Sequence, residues 1–293
     1  MPQFFPVINF YDKIVADPVF HRQLKCGDTL ITRYNCPLEN QYQDIWSHLN
    51  YIAYVVEGRK IWHTANGSYD LRKGSCVFVQ KGAVIVEQFF DAEFCIVLFF
   101  ISDEFICDVL RSKSGVIRMS DKRYQTVIPV NRSGLLEGFY YSMMPYFGNV
   151  REPDPSILEL KFRELILNIA DDPANHELHA FFNSLLKRPR NVSLQKVMED
   201  NFCFNLKLEE YAVLTHRSLS AFKRDFQKQF NSTPGKWLME KRLNHAMHLL
   251  TNTDTSVSQA AFESGFESPS HFSRSFRRQF GIPPAAARQK ISA

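Results

Sequence analysis

"FKRDFQKQFNSTP", residues 222–234, recurs 50 residues later as "FSRSFRRQFGIPP", residues 272–284. Both copies read Phe-x-Arg-x-Phe-x-Lys/Arg-Gln-Phe, with a Pro four positions after the last Phe. At ~100° per residue this pattern is helical. With Phe226 at the centre of a buried face, Leu219, Phe222 and Phe230 fall within about 40° of it. Arg217, Ser220, Arg224 and Lys228 then point outward, with Lys223 on the flank. The second copy repeats the arrangement. Phe272, Phe276 and Phe280 form the stripe, Ser270, Arg274 and Arg278 face outward, and Ser273 and Arg277 flank them. Each segment is therefore an aromatic-anchored helix with a cationic, hydrogen-bonding outer side.

A short apolar helical pattern precedes each copy: "LKLEEYAVLT" (206–215) and "SVSQAAFESG" (256–265). Leu208 and Ala212 match Val257 and Ala261, and a small residue there lets the next helix pack close. A turn then leads to Ser218 or Ser268, a favoured N-cap type. This is a helix-turn-helix layout, written twice. The register slips once: Ala212 to Ala261 is 49 residues, Ser218 to Ser268 is 50. Between the copies, "PGKWLMEKRLNHAMHLLTN" (234–252) opens with Pro at a helix start and carries Leu238, Leu243, Ala246 and Leu250 on one side. At ~1.5 Å per residue, a helix over 17 or 18 of these residues spans about 26 Å. Two basic helices held at that distance suit successive major grooves, ~34 Å apart, with DNA bending to make up a shortfall. Arg reads guanine through two hydrogen bonds, Ser bonds to bases or phosphate, and Lys and Arg neutralise phosphates.

Residues 193–289 resemble the DNA-binding domain of the AraC-type transcription regulators. The run that carries the resemblance is "SVSQAAFESGFESPSHFSRSFRRQFGIPPAAAR", with Ala261, Gly265-Phe266, Phe272, Arg274, Phe276, Gly281, Pro284 and Arg288 in order. Arg242-Leu243, Ala246 and Leu249-Leu250 match in the connecting helix. The resemblance implies seven helices, and base contacts from Ser220, Lys223 and Arg224 in the first unit and Ser270, Ser273 and Arg274 in the second. Arg217, Lys228, Arg277 and Arg278 are the phosphate candidates. It further implies double-stranded DNA as partner, a homodimer, contact with RNA polymerase and a cytoplasmic location. Three positions depart from the pattern: Thr215-His216 in the first turn, Asn231 where Gly commonly ends the helix, and Pro269 where a side chain would otherwise approach a base.

The 293 residues suit about two domains. Net charge is +4, and residues 191–293 hold 14 Lys and Arg against 9 Asp and Glu. The rest holds 21 against 22, so the cationic surplus belongs to the last third, as a polyanion partner would require. No apolar run reaches the ~18 residues of a membrane span. The start "MPQFFPVINF" lacks the basic residues and apolar run of a signal peptide. Among six cysteines there is no C-x-x-C pair, so reduced, buried thiols are expected.

Residues 1–120 read as strands, including 49–58, 59–65, 74–82 and 94–102, separated by Glu57-Gly58, Asn66-Gly67, Lys73-Gly74 and Lys81-Gly82. Asn66-Gly67 is the strongest hairpin signal. A β-barrel or double-sheet roll is expected, followed by helices over about 135–187, with patterns at 156–170 and 176–186. The overall class is α+β and multidomain: a regulatory and dimerisation domain over 1–187 and an all-α DNA-binding domain over 188–293. Its helix-turn-helix units lie at about 206–230 and 256–280, joined by helix 234–251. The boundary falls in the basic segment "KRPRNVS" (187–193).

The first domain resembles the cupin-like regulatory domains that accompany this DNA-binding domain. Catalytic cupins hold metal through H-x-H; here His48 and His63 are isolated, so neither metal, cofactor nor catalysis is expected. The competing class is a cupin-type metal enzyme with a helical appendage. An effector, small molecule or protein, is expected on the first domain. Trp46, Tyr54, Trp62 and Phe78, with Tyr51 and Phe89, are candidates for a pocket. Helix 156–170 is apolar on more than one face, and its Leu158, Phe162 and Ile166 are candidates for dimerisation.

Overall fold

The computed structural model describes residues 7–18, 22–35, 40–89, 93–115, 120, 123–148, 152–187 and 193–288. Residues 8–191 form one compact unit, and the chain from 192 onward belongs to a second. Most of the segment in which the sequence places the domain boundary, 188–192, lies outside the described residues, as does Cys36.

The first unit runs β1 (Ile8–Asn9), α1 (Phe10–Ala16), β2 (Gln23–Cys26), β3 (Thr29–Asn35), β4 (Tyr42–Ser47), β5 (Asn50–Glu57), β6 (Arg59–Thr64), β7 (Gly67–Arg72), β8 (Cys76–Val79), β9 (Gly82–Gln88) and β10 (Cys95–Ile101). Then follow α2 (Asp103–Arg111), β11 (Val127–Pro129), α3 (Gly134–Gly148), α4 (Pro155–Asp171) and α5 (His176–Lys187). The strands form two sheets, ordered β1-β4-β9-β6-β7 and β11-β8-β5-β10-β3-β2. Among the described residues they do not close into a single barrel.

The reason lies in the strand pattern. All seven residues of β10 are buried, so both its faces need a cover. Ile96, Leu98 and Phe100 point into a core shared with Ile45, Trp62, Val84 and Val86 of the other sheet. Val97, Phe99 and Ile101 point the other way, into a core built with α2 to α5. The unit is thus three layers deep: sheet, sheet, helices. The Asn66-Gly67 hairpin forms one residue earlier than expected. Thr64 pairs with Gly67, leaving Ala65 and Asn66 as the two-residue turn.

The same alternation divides the four aromatic pocket candidates. Trp62 lies in the core between the sheets, edge-on to Tyr51 at 5.9 Å. Tyr54 and Phe78 face the helical layer, where Tyr54 stacks on Tyr140 at 4.0 Å and Phe78 meets Phe181 at 5.0 Å. Trp46 is buried beside His48. They do not surround one cavity, because neighbouring strand positions with opposite parity leave the sheet on opposite sides.

Helix α4 also corrects an expectation. Leu158, Phe162 and Ile166, expected to face a partner, are buried in the unit's own core with Leu165 and Ile169. Ile157 and Leu160 are the exposed residues, Leu160 at 65%. A helix apolar on more than one face leaves the choice of core face to tertiary packing. Accordingly, Ile166→Val should cost about 0.5–1.5 kcal/mol. Leu160→Ser should stay within about 0.5 kcal/mol of the parent, measured by denaturant titration.

The second unit is helical: α6 (Leu194–Asn201), α7 (Leu208–Leu214), α8 (Leu219–Phe230), α9 (Pro234–Asn252), α10 (Val257–Glu263), α11 (Pro269–Phe280) and α12 (Pro284–Arg288). Among the described residues these are seven helices, the number the resemblance implies. Among the described residues, no helix is long and apolar enough to cross a membrane.

Candidate nucleic-acid interface

The two repeats fold alike down to single hydrogen bonds. In the first turn His216 N–H donates to Val213 O (2.9 Å) and Arg217 N–H to Ala212 O (2.9 Å). In the second, Gly265 N–H donates to Phe262 O (2.8 Å) and Phe266 N–H to Ala261 O (3.0 Å). His216 takes φ 53° where Gly265 takes φ 79°, so the departure from Gly changes the side chain and keeps the turn. Histidine is among the residues that tolerate this region best. Ser218 and Ser268 then cap α8 and α11, accepting from the N–H groups of Ala221 and His271. Each helix ends on a left-handed residue, Asn231 (φ 50°) or Gly281 (φ 76°). Thr233-Pro234 and Pro283-Pro284 open the next helix at matching positions. Pro269 occupies the first turn of α11, where its missing N–H costs nothing.

Packing separates the two sides of each helix. Phe222, Phe226, Phe272 and Phe276 are each 0% exposed. Phe226 stacks on Phe230 at 4.4 Å and meets Trp237 of α9 at 6.0 Å. Phe276 packs on Phe272 and Phe280 within a core supplied by Leu243, Ala246 and Leu250 of α9. On the opposite side Ser220, Lys223, Arg224 and Lys228 are exposed in α8. In α11 Ser270, Arg274, Arg277 and Arg278 are exposed and Ser273 is half-buried. Arg224 is 76% exposed, reaching the neighbouring Asp225 at 3.4 Å. The Arg274 Nε donates back to Ser270 O at 3.3 Å. Each basic face is thus gathered on a helix whose other face is fixed in a core.

Arg217 differs from its expected role. Its guanidinium donates to Asp225 (3.2 Å) and to Thr215 O (2.9 Å), and its side chain is 20% exposed. It braces the turn against α8. The sequence hides this because Asp225 lies eight residues away and meets Arg217 only once the turn has formed.

The first unit contains a small, partly open cavity of about 20 Å³ between its sheets. Tyr34, Phe94, Ile96 and Trp62 line it together with Lys13 and Lys60. Lys60 is 2% exposed, donates to Gln88 Oε1 at 3.1 Å and lies 4.7 Å from the Phe94 ring centre. The buried Trp62 Nε1 has no hydrogen-bond partner among the described residues. Of the expected pocket residues, Trp62 alone lines this cavity, and no pattern in the sequence marks Lys60 as a buried lysine. His63 sits between Ser68 (2.7 Å) and Glu87 (2.9 Å). Among the described residues, no group of three or more His, Cys, Asp or Glu is arranged to hold a metal. Cys76 is buried against the Tyr140 hydroxyl at 3.0 Å, and burial pushes its thiol up to about 12.

Comparison with known proteins bears on both units. Residues 211–290 match a family model described as a helix-turn-helix domain. Residues 50–181 match one described as the ExsA N-terminal regulatory domain. The chain is 29% identical over 239 residues to the virulence regulon transcriptional activator VirF of Yersinia enterocolitica serotype O:8 / biotype 1B, covering 80% of this chain and 87% of that protein. It is 26% identical over 238 residues to the HTH-type transcriptional regulator ExsA of Pseudomonas aeruginosa, covering 80% and 84%. Over 92 residues it is 39% identical to the HTH-type transcriptional activator RhaS of Klebsiella pneumoniae, covering 31% and 33%.

Proposed function

We propose that this chain, an AraC-type DNA-binding transcription regulator with an N-terminal regulatory domain, reads two successive major grooves with α8 and α11. The enzyme alternative has no support, since the relatives are named regulators. The observation that carries the reading is the doubled pairing of two fully buried Phe rings, Phe222 with Phe226 and Phe272 with Phe276, with an exposed basic face. Ser220, Lys223 and Arg224 take one set of base edges; Ser270, Ser273 and Arg274 take the other. Lys228, Arg277 and Arg278 neutralise phosphates and so set affinity without choosing sequence. Arg217 stays with its turn.

An effector at the first unit sets the activity, and the cavity beside Lys60 and Trp62 is where a small molecule would enter. Activation through RNA polymerase and homodimerisation complete the proposal. A dimer made through α4 would use Ile157 and Leu160, since Leu158, Phe162 and Ile166 are occupied by the core.

The experiment is to sequence the DNA fragments retained by the purified protein at moderate salt. A two-part motif supports the reading, and retention without sequence preference overturns it. The phosphate assignment has its own check. Replacing Lys228, Arg277 or Arg278 by Ala should weaken specific and random DNA alike, and lower the salt slope by roughly 0.9 per residue.

A further inference from the structure

Residues 202–205, in the link between α6 and α7, touch three separate parts of the second unit. At its start Asn201 O accepts from the Tyr211 hydroxyl at 2.7 Å, which holds it to the first helix-turn-helix. Arg242, on the connecting helix α9, donates to Phe202 O (2.6 Å) and Phe204 O (2.8 Å). The Phe202 ring meets His245, also on α9, at 5.3 Å. Between those carbonyls, Cys203 O lies over the second turn. A Cβ on Gly265 would stand 2.5 Å from it, and 3.1 Å from Arg242 Nε. Finally, Asn205 Nδ2 donates to Glu267 Oε1.

Glu267 lies at the register slip between the repeats. Hydrogen-bond partners in the two turns keep a 49-residue offset through Arg217 and Phe266, and the N-caps Ser218 and Ser268 follow at 50. The second turn is one residue longer, and Glu267 of that turn meets the link that leads into the first helix-turn-helix.

We propose that Arg242 is a positioning residue that sets spacing specificity. By clasping residues 202–205 onto α9 and against the second turn, it fixes the distance and phase between the basic faces of α8 and α11. It thereby fixes the half-site spacing the protein accepts. A planar guanidinium suits this task because its fork reaches two carbonyls at once, whereas a lysine is a point donor. Without the clasp, the first helix-turn-helix would hold to α9 through the short 231–233 connection and the Phe226, Phe230 and Trp237 rings. The inference rests on the proposed DNA reading.

The test uses the full chain and two-part duplexes built from the retained fragments, with native spacing or with two base pairs inserted, and a duplex carrying one half-site. The parent should lose roughly tenfold or more on insertion, a loss of the size of one mismatched base pair. Arg242→Ala should narrow that loss to about twofold while binding the single half-site as the parent does. Arg242→Lys should fall between them. Asn205→Ala, which removes a surface hydrogen bond and leaves the core intact, should relax spacing in the same direction and serves if Arg242→Ala fails to fold. Parental spacing preference in the folded Arg242 or Asn205 variants overturns the clasp and leaves the DNA reading intact. A parent that binds two half-sites no better than one overturns the DNA reading itself.

Discussion

Phe276→Ala should destabilise the second helix-turn-helix by about 3–5 kcal/mol, and Phe226→Ala should do the same to the first. Both rings are 0% exposed, and each is the middle of a row of three rings in contact. Removing the middle ring strips packing from both neighbours and opens a cavity in the core. Domains are stable by ~5–15 kcal/mol, so this loss is a large share of the total. It should also be local. Hydrogen exchange should accelerate across α10 to α12 for Phe276→Ala and across α7 and α8 for Phe226→Ala. Parental protection in both variants would mean the stripes are not the cores of their units.

The second large effect is on recognition. Arg224→Ala and Arg274→Ala should each cost roughly 1–3 kcal/mol on the selected site and relax preference at one base pair. Stability should hardly change, because both arginines are exposed and, among the described residues, bond to near neighbours on their own helices. The contrast with Lys228, Arg277 and Arg278 is informative. Removing a charge that neutralises phosphate weakens every sequence equally, whereas removing a group that reads a base weakens the best sequence most. Competition between the selected site and its single-base variants separates the two.

The helical unit was legible from the chain because its signals are local. The Phe spacing, the Ser caps at 218 and 268, and the Pro residues opening α9 and α12 all act within a turn or two of helix. The rest depends on pairing between distant residues. Strands were evident around 49–102, but β10 pairs with both β3 and β5, and nothing in a strand names its neighbours. That pairing decided which side Tyr54 and Phe78 would face, and so dissolved the expected aromatic pocket. In α4, apolar residues on more than one face left the core face open to either choice. Arg217 and Arg242 were visible as basic residues. Their partners, Asp225 and the carbonyls of Phe202 and Phe204, are fixed by the folded turn and by chain 38 to 40 residues away.

Base-resolved protection of the selected DNA by the full-length protein, repeated with Arg224→Ala and Arg274→Ala, tests the central claim most directly. The account predicts two clusters of major-groove contacts on one side of the duplex, about one helical turn apart. Arg224→Ala should relax one cluster and Arg274→Ala the other. Protection confined to one groove, or both substitutions altering the same base pair, would contradict it.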